Sequence, residues 1–557
     1  MTATPPLPGP DAAAARPPAR VGQLESACRE PGSPGLGHGD ESRSPGPDAP
    51  ARPPGPDITG PGAPGRSAVG ASGGEPAGPA PSFPGAPGPG TGPDPCAAAP
   101  VPPARRKPPA RLPFPVVDEI TRHCRDDDEP DTVHIEIHLP HRPEPERLRA
   151  AVDAALRRHP RLLMRQVPSR WWHSRYHWEL TDAPDRAPVS YPGGTLAEAR
   201  RRALTRCPSL DASPPVRVEV VAHEGGWVLV VTLNHTALDG PACLRVLATA
   251  AELYGGADNS PAPPPVRTAG TGAGHAPEPP APGGSPWRRP ARVAAEDARP
   301  GTPGNGMLVT ELPVPARPPR VPGEPAAYTV NDQLLVATWL TAARWNRMHD
   351  RPVRPVRITM PVDDRPRTAD MPIGNGTRLV EVTFGPEERA LHDRLTAPGG
   401  PDPGVVARLV RATSARTRAL KALDRPQLGF SGGLLTSPLL PVGLRAAATR
   451  TLRAAAGPWA STTLLSNIGR VPYPLDFGDA GRATAVWFSA PTRAPRGLSV
   501  TTVSTGGRLQ LALRWSHRRL GDGAGARLGA LFAASLEATA QDAPGTGPGP
   551  VREGGAG

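Results

Sequence analysis

Lysine is nearly missing from this 557-residue sequence: of 64 basic residues only Lys107 and Lys421 are lysine, and the others are arginine. The formal charge of +12 therefore rests on guanidinium groups. Their excess, with that of alanine, glycine and proline, is what a GC-rich genome imposes, so scattered solvated arginine accounts for the charge. There is no block of five consecutive basic residues, no RNA-binding aromatic motif and no zinc-finger spacing, which argues against a nucleic-acid partner. Cysteine is scarce. Cys28, Cys96, Cys124, Cys207 and Cys243 are odd in number and form no CxxC, so neither a disulfide framework nor a metal site is expected. Long hydrophobic runs are missing too: the strongly apolar stretch Trp227 to Leu233 is too short to span a bilayer. The opening MTATPPLPGP has neither the charged nor the apolar region of an export signal. These absences predict a cytoplasmic protein without a membrane span.

What is abundant is proline and glycine, 82 and 62 residues, about a quarter of the chain and enough to mark low-complexity composition. They concentrate in residues 1–111, 255–305 and 541–557. Those stretches have too few large apolar side chains to offset the entropy of ordering and are predicted to be a disordered arm, a linker and a disordered tail. The remainder suffices for two packed units, 112–254 and 306–540.

In the first unit, Val133, Ile135, Ile137 and Leu139 alternate with His134, Glu136 and His138, the period of a half-buried strand. A helix follows from about Pro145 to His159, where the next proline stops it. Val216, Val218 and Val220 form a strand, His223 to Gly226 turn the chain, and Trp227 to Leu233 return as a strand apolar on both faces. A helix from Pro241 to about Tyr254 closes the unit, with Asp239 or Gly240 able to cap it. In the second unit strands at 307–314, 356–360, 379–384, 461–469 (running into a polar turn), 485–491, 498–505 and 509–516 mix with helices near 331–348, 405–420 and 528–536. Both units read as α/β (α+β).

Chemistry concentrates in Asn234-His235-Thr236-Ala237-Leu238-Asp239-Gly240, between the buried strand and the capped helix. At a strand end, one nitrogen of the His235 ring can be held by a local hydrogen bond while the other serves as a general base near neutral pH. Asp239 could orient the loop by pairing with an arginine, and Gly240 leaves room for substrate or for the turn. The bland reading of an isolated HxxxDG is a histidine that only satisfies its own hydrogen bonds.

In this context the segment LDASPPVRVEVVAHEGGWVLVVTLNHTALDG, with HPRLLMR, TVNDQLLVATWLTAARW, ITMPVDDRPR, IGNGTRLVEV and LLSNIGRV in order along the chain, resembles the condensation-domain and CoA-dependent acyltransferase superfamily, whose hallmark is HHxxxDG. The resemblance implies two chloramphenicol-acetyltransferase-like lobes in a V arrangement, with a solvent tunnel between them and the motif at its middle. It implies that His235 takes the proton of an acceptor hydroxyl or amine as that group attacks the thioester of an acyl-CoA or phosphopantetheinyl donor, with no bound cofactor. It further implies that Asp239 turns from substrate toward an arginine, Arg365 being the candidate, one surface arginine among many on the bland view. Ser466 or Asn467 would donate to the oxyanion or else only shape a turn. Asn234 stands where the family's first histidine would be, a departure that weighs more against a condensation role than against ester-forming acyl transfer. A small-molecule acceptor and an acyl- or peptidyl-carrier protein are the partners so implied, in natural-product or lipid assembly. The alternative is an inactive module that recruits such a partner.

Other groupings rank lower. His134, Glu136 and His138 share one strand face and read better as a solvent-facing side than as metal ligands. The acidic Asp126 to Asp131 reads as a loop. Trp171, Trp172, His173 and His177 either line a pocket or cover the core. No P-loop, no GxGxxG after a strand and no GxSxG elbow occurs, against nucleotide-fold and serine-hydrolase chemistry.

Overall fold

Three β-sheets organise the chain in a computed structural model that describes residues 110–262, 288–299, 302–319, 326–366, 368–423 and 427–540. Nearly all of the 1–111 arm, much of the 255–305 linker and the 541–557 tail lie outside the described residues. Five strands run in the order Ala485–Ser489, Thr132–Leu139, Gly226–Asn234, Val216–His223, Val189–Ser190. Thr132 pairs with Asn234 and Leu139 with Trp227, antiparallel, so the Gly226–Asn234 strand is flanked on both edges. Its hairpin turn needs glycine: Gly225 has φ 79°, and a Cβ on Gly226 would fall 2.2 Å from the Leu139 carbonyl oxygen. A six-stranded sheet runs Thr377–Phe384, Val356–Asp363, Thr463–Arg470, Leu498–Thr505, Arg508–Ser516, Asn305–Pro313, and Thr463–Arg470 is parallel to both its neighbours. Arg111–Pro113, His177–Leu180 and Met164–Gln166 make a small third sheet.

The helices start where the sequence provides caps. Glu144 accepts hydrogen bonds from the amides of Glu146 and Arg147 ahead of Pro145–Arg158, which packs on the helix Gly240–Gly255. Helices Val330–Met348, Pro403–Ala422 and Asp522–Glu537 pack together on the six-stranded sheet. The last is longer than the expected 528–536, because Gly521 starts it a turn and a half earlier. Helix Leu196–Thr205 has no strong apolar run, yet its capping box is legible: Glu198 N–H donates to Thr195 Oγ1, and Thr195 N–H to Glu198 Oε2.

Two cores result, and the first is not built from 112–254 alone. Val442, Tyr473, Leu475, Phe477, Val486 and Phe488 join it, and Ala485–Ser489 adds to the five-stranded sheet beside Thr132–Leu139. A strand expected in the second unit therefore completes the first. Arg514 adds a polar tie. Fully buried in the six-stranded sheet, it donates to the carbonyls of Thr132 and Pro130 and to Asn305 Oδ1. Burial pulls its pKa down to about 10, still well above neutral pH.

The alternating strand corrects one expectation. His134 and Glu136 do not face solvent; they are 1% and 0% exposed beneath helix Leu196–Thr205. Arg200 from that helix makes this burial tolerable, donating from Nε and Nη2 to the two Glu136 oxygens at 2.7 and 2.9 Å, and both histidines bond the same carboxylate through Nε2. Burial alone would raise the Glu136 pKa, but these partners hold it well below the usual carboxylate range. The motif is a neutralised network, and among the described residues no cluster of histidine, cysteine and carboxylate is arranged to hold a metal.

Candidate functional site

The strand Gly226–Asn234 ends one residue before His235, and the helix Gly240–Gly255 begins one after Asp239, so the motif is a short loop fixed at both ends. His235 N–H donates to the Asp131 carbonyl at 2.9 Å. Its ring contacts the Leu238 carbonyl through Nδ1 at 3.2 Å. A carbonyl oxygen only accepts, so Nδ1 carries the proton and the lone pair of the neutral ring is on Nε2. His235 is half-buried, and among the described residues its Nε2 has no hydrogen-bond partner.

Asn234 is 4% exposed, and its side-chain amide is turned onto backbone groups. Its Nδ2 donates to the Pro208 carbonyl at 2.9 Å, and its Oδ1 accepts from Thr236 N–H at 3.0 Å. The residue shapes the turn that presents His235. Asn234→His is expected to lose one of these two bonds, because a neutral imidazole cannot reproduce both in this geometry. The expected cost is about 1–3 kcal/mol of unfolding free energy with no gain in activity, read by denaturant unfolding and the transfer assay described below.

Asp239 caps the helix, its Oδ1 accepting from Ala242 N–H at 3.0 Å. Arg365 Nη2 lies 2.9 and 2.8 Å from its two oxygens, and Gly376 N–H donates to Oδ2 at 2.9 Å. The structure thus brings together Asp239 and Arg365, which are 126 residues apart. Burial opposes the charge on Arg365, yet hydrogen bonding to Asp363 and the charge of Asp239 raise its pKa. Arg365 also donates from Nη1 to the carbonyls of Pro372 and Gly374, pinning the 365–376 loop against the motif. Gly240 is small for a packing reason: a Cβ there would meet the Phe488 ring at 2.9 Å.

Two residues that the sequence did not single out complete the site. Asn375 Nδ2 lies 3.1 Å from the His235 carbonyl, 3.0 Å from that of Thr236 and 3.0 Å from Asp118 Oδ1. Asp118, 1% exposed on helix Val116–His123, also accepts from Trp178 Nε1 at 2.8 Å. Burial pushes its carboxyl up to about 6, against the lowering effect of Asn375, Trp178, Arg161 and His235. The folded state therefore holds this proton more tightly than the unfolded chain, whose value is near 3.8, and stability falls as pH rises through that window. Its charge costs on the order of 3 kcal/mol above about pH 6. The stability difference between Asp118→Asn and the parent should move toward the variant by about that amount between pH 4 and 7, measured by denaturant unfolding at each pH. An unchanging difference would contradict it.

Ser466 and Asn467 lie on Thr463–Arg470. Asn467 Nδ2 is 3.3 Å from Asn331 Oδ1, and its Oδ1 accepts from Gly469 N–H at 2.9 Å where the strand bulges. No hydrogen bond joins either residue to the His235 loop, and among the described residues the Ser466 hydroxyl has no partner. Trp171 and Trp172 are exposed and do not cover the core. The acidic loop is more than a connector. Asp131 pairs with Arg493 at 3.1 Å, and buried Glu129 accepts from Ala494 N–H and from the Ser516 hydroxyl.

No family model matches the chain. Two uncharacterized proteins of Mycobacterium tuberculosis, from strains CDC 1551 / Oshkosh and ATCC 25618 / H37Rv, are 28% identical over 427 residues, covering 73% of this chain and 94% of theirs. Among solved structures, the trichothecene 15-O-acetyltransferase of Fusarium sporotrichioides superposes with a TM-score of 0.51 at 10% identity, over 77% of this chain and 96% of its own. The chain has the fold of that acetyltransferase. The condensation domain of the Monacolin K polyketide synthase MokA aligns over 77% of this chain and 97% of its own, at 12% identity and a TM-score of 0.47. Among the described residues, no helix of this fold is long and apolar enough to cross a membrane.

Proposed function

We propose that this protein is an acyltransferase that moves an acyl group from a CoA or carrier-protein thioester to a hydroxyl or amine of a small-molecule acceptor, in natural-product or lipid assembly. The observation that carries this reading is the Leu238 carbonyl on Nδ1 of His235, which puts the ring's lone pair on Nε2, an atom without a hydrogen-bond partner among the described residues. Nε2 removes the acceptor's proton as its oxygen or nitrogen attacks the thioester carbonyl. The tetrahedral intermediate then collapses, the carbon–sulfur bond breaks, and the proton on Nε2 passes to the departing thiolate. The donor is a substrate, and no resident cofactor enters the step.

Asp239 does not touch substrate in this scheme; with Arg365 it holds the loop. Ser466, whose hydroxyl has no partner among the described residues, is the better oxyanion donor, since Asn467 is already engaged with Asn331, Gly469 and Thr502. The test is acceptor-dependent release of free thiol from a panel of acyl-CoA and acyl-carrier donors. No release above a His235→Ala control with any donor would leave a binding module in place of an enzyme.

A further inference from the structure

Leu434, Leu439, Leu440, Leu444 and Leu452 are all at least half exposed, Leu439 by 89% and Leu434 by 76%. They lie on helix Gly429–Leu435, the turn after it and helix Val442–Ala456. Isolated exposed leucines are ordinary, but this many in one stretch of chain, on connected elements, make a patch that calls for a partner. The patch is held rigidly from beneath. Buried Arg445 pairs with Glu119 at 2.8 Å and donates to the Ser437 carbonyl at 2.7 Å, fixing the turn against the helix.

Trp171 and Trp172 join the same face. Val442 N–H donates to the His173 carbonyl and Gly443 N–H to that of Trp171, each at 2.8 Å, so the tryptophan loop is tied to the start of the helix. Trp171 is 64% exposed, and the Arg170 guanidinium lies over the Trp172 ring, 5.1 Å from its centre. The two stretches that carry these side chains hold charge of one sign. Neither 167–178 nor 425–475 contains an aspartate or glutamate, while Arg170, Arg175 and Arg450 are exposed.

Exposed leucine with tryptophan at its margin and arginine around it fits a lipid surface, where indole rings lie at headgroup level and guanidinium groups meet anionic lipid. We propose that this face attaches the protein peripherally to an anionic bilayer, with Trp171, Trp172, Leu439 and Leu440 entering the interface. This attachment does not depend on the acyl-transfer reading.

The test is flotation of the full chain with phosphatidylcholine vesicles and with vesicles containing phosphatidylglycerol, at low and high salt. The bound fraction should rise at least about tenfold with phosphatidylglycerol and fall with salt. Trp171→Ala/Trp172→Ala and Leu439→Ser/Leu440→Ser should each reduce it several-fold without changing the melting temperature, because the side chains removed are at the surface. Arg170→Glu/Arg450→Glu should abolish the preference for anionic lipid. No flotation, equal binding to both vesicle types, or undiminished binding of the tryptophan and leucine variants would overturn the proposal. So would vesicle-independent self-association that the same substitutions remove, which would make the face a contact between copies of this chain.

Discussion

His235→Ala is expected to lower acceptor-dependent thiol release by about 10²–10⁴-fold, the usual contribution of a positioned general base. The side chain is half-buried and among the described residues its ring bonds only the Leu238 carbonyl, so folding should lose no more than about 1 kcal/mol. Rate and stability therefore separate, and a melting curve beside the assay distinguishes lost chemistry from lost fold. His235→Gln sharpens the contrast. Glutamine can keep a polar contact in the loop but has no basic nitrogen, and its rate should fall with that of alanine. Equal rates for parent and variants would remove His235 from the reaction.

Arg365→Ala should produce the largest stability loss at the site. The guanidinium is 10% exposed and its partner Asp239 3%, with Asp363 a third member. Removing it leaves two carboxylates together with one of them buried and frees the carbonyls of Pro372 and Gly374. Breaking a buried pair in this way costs about 3–5 kcal/mol, or on the order of 10 °C in melting temperature. Activity should fall well below that temperature, because Gly376 and Asn375, which hold Asp239 and the His235 carbonyl, lie in the loop that Arg365 pins. Arg365→Lys keeps the charge but not the fork, and should fall between parent and alanine. Wild-type stability in Arg365→Ala would mean that the pair contributes nothing net.

Both effects trace back to the same seven residues, and what made those residues legible was local. A doubly covered apolar strand, a polar turn and a capped helix follow from side-chain period, chain reversal and hydrogen bonding within a few residues of His235, and they are visible without any partner. The polar face of Thr132–Leu139 shows the limit of that logic. Alternation indicates which side chains share a face, not whether a helix 60 residues later covers it, and Arg200 decides that Glu136 is buried. Helix Leu196–Thr205 could have been found from its capping box alone; its arginine-rich face hid it from a search for apolar period.

The sequence by itself determined that a histidine with an accessible lone pair could stand between that strand and that helix, because backbone period and capping act at short range. Only the tertiary structure decided what holds it there. Asp118 and Asn375 are 257 residues apart, Asp239 and Arg365 are 126, and Ala485–Ser489 crosses into the sheet of Thr132–Leu139. Contacts at such separation depend on closing long loops and on burying polar groups in pairs, and neither leaves a periodic trace along the chain.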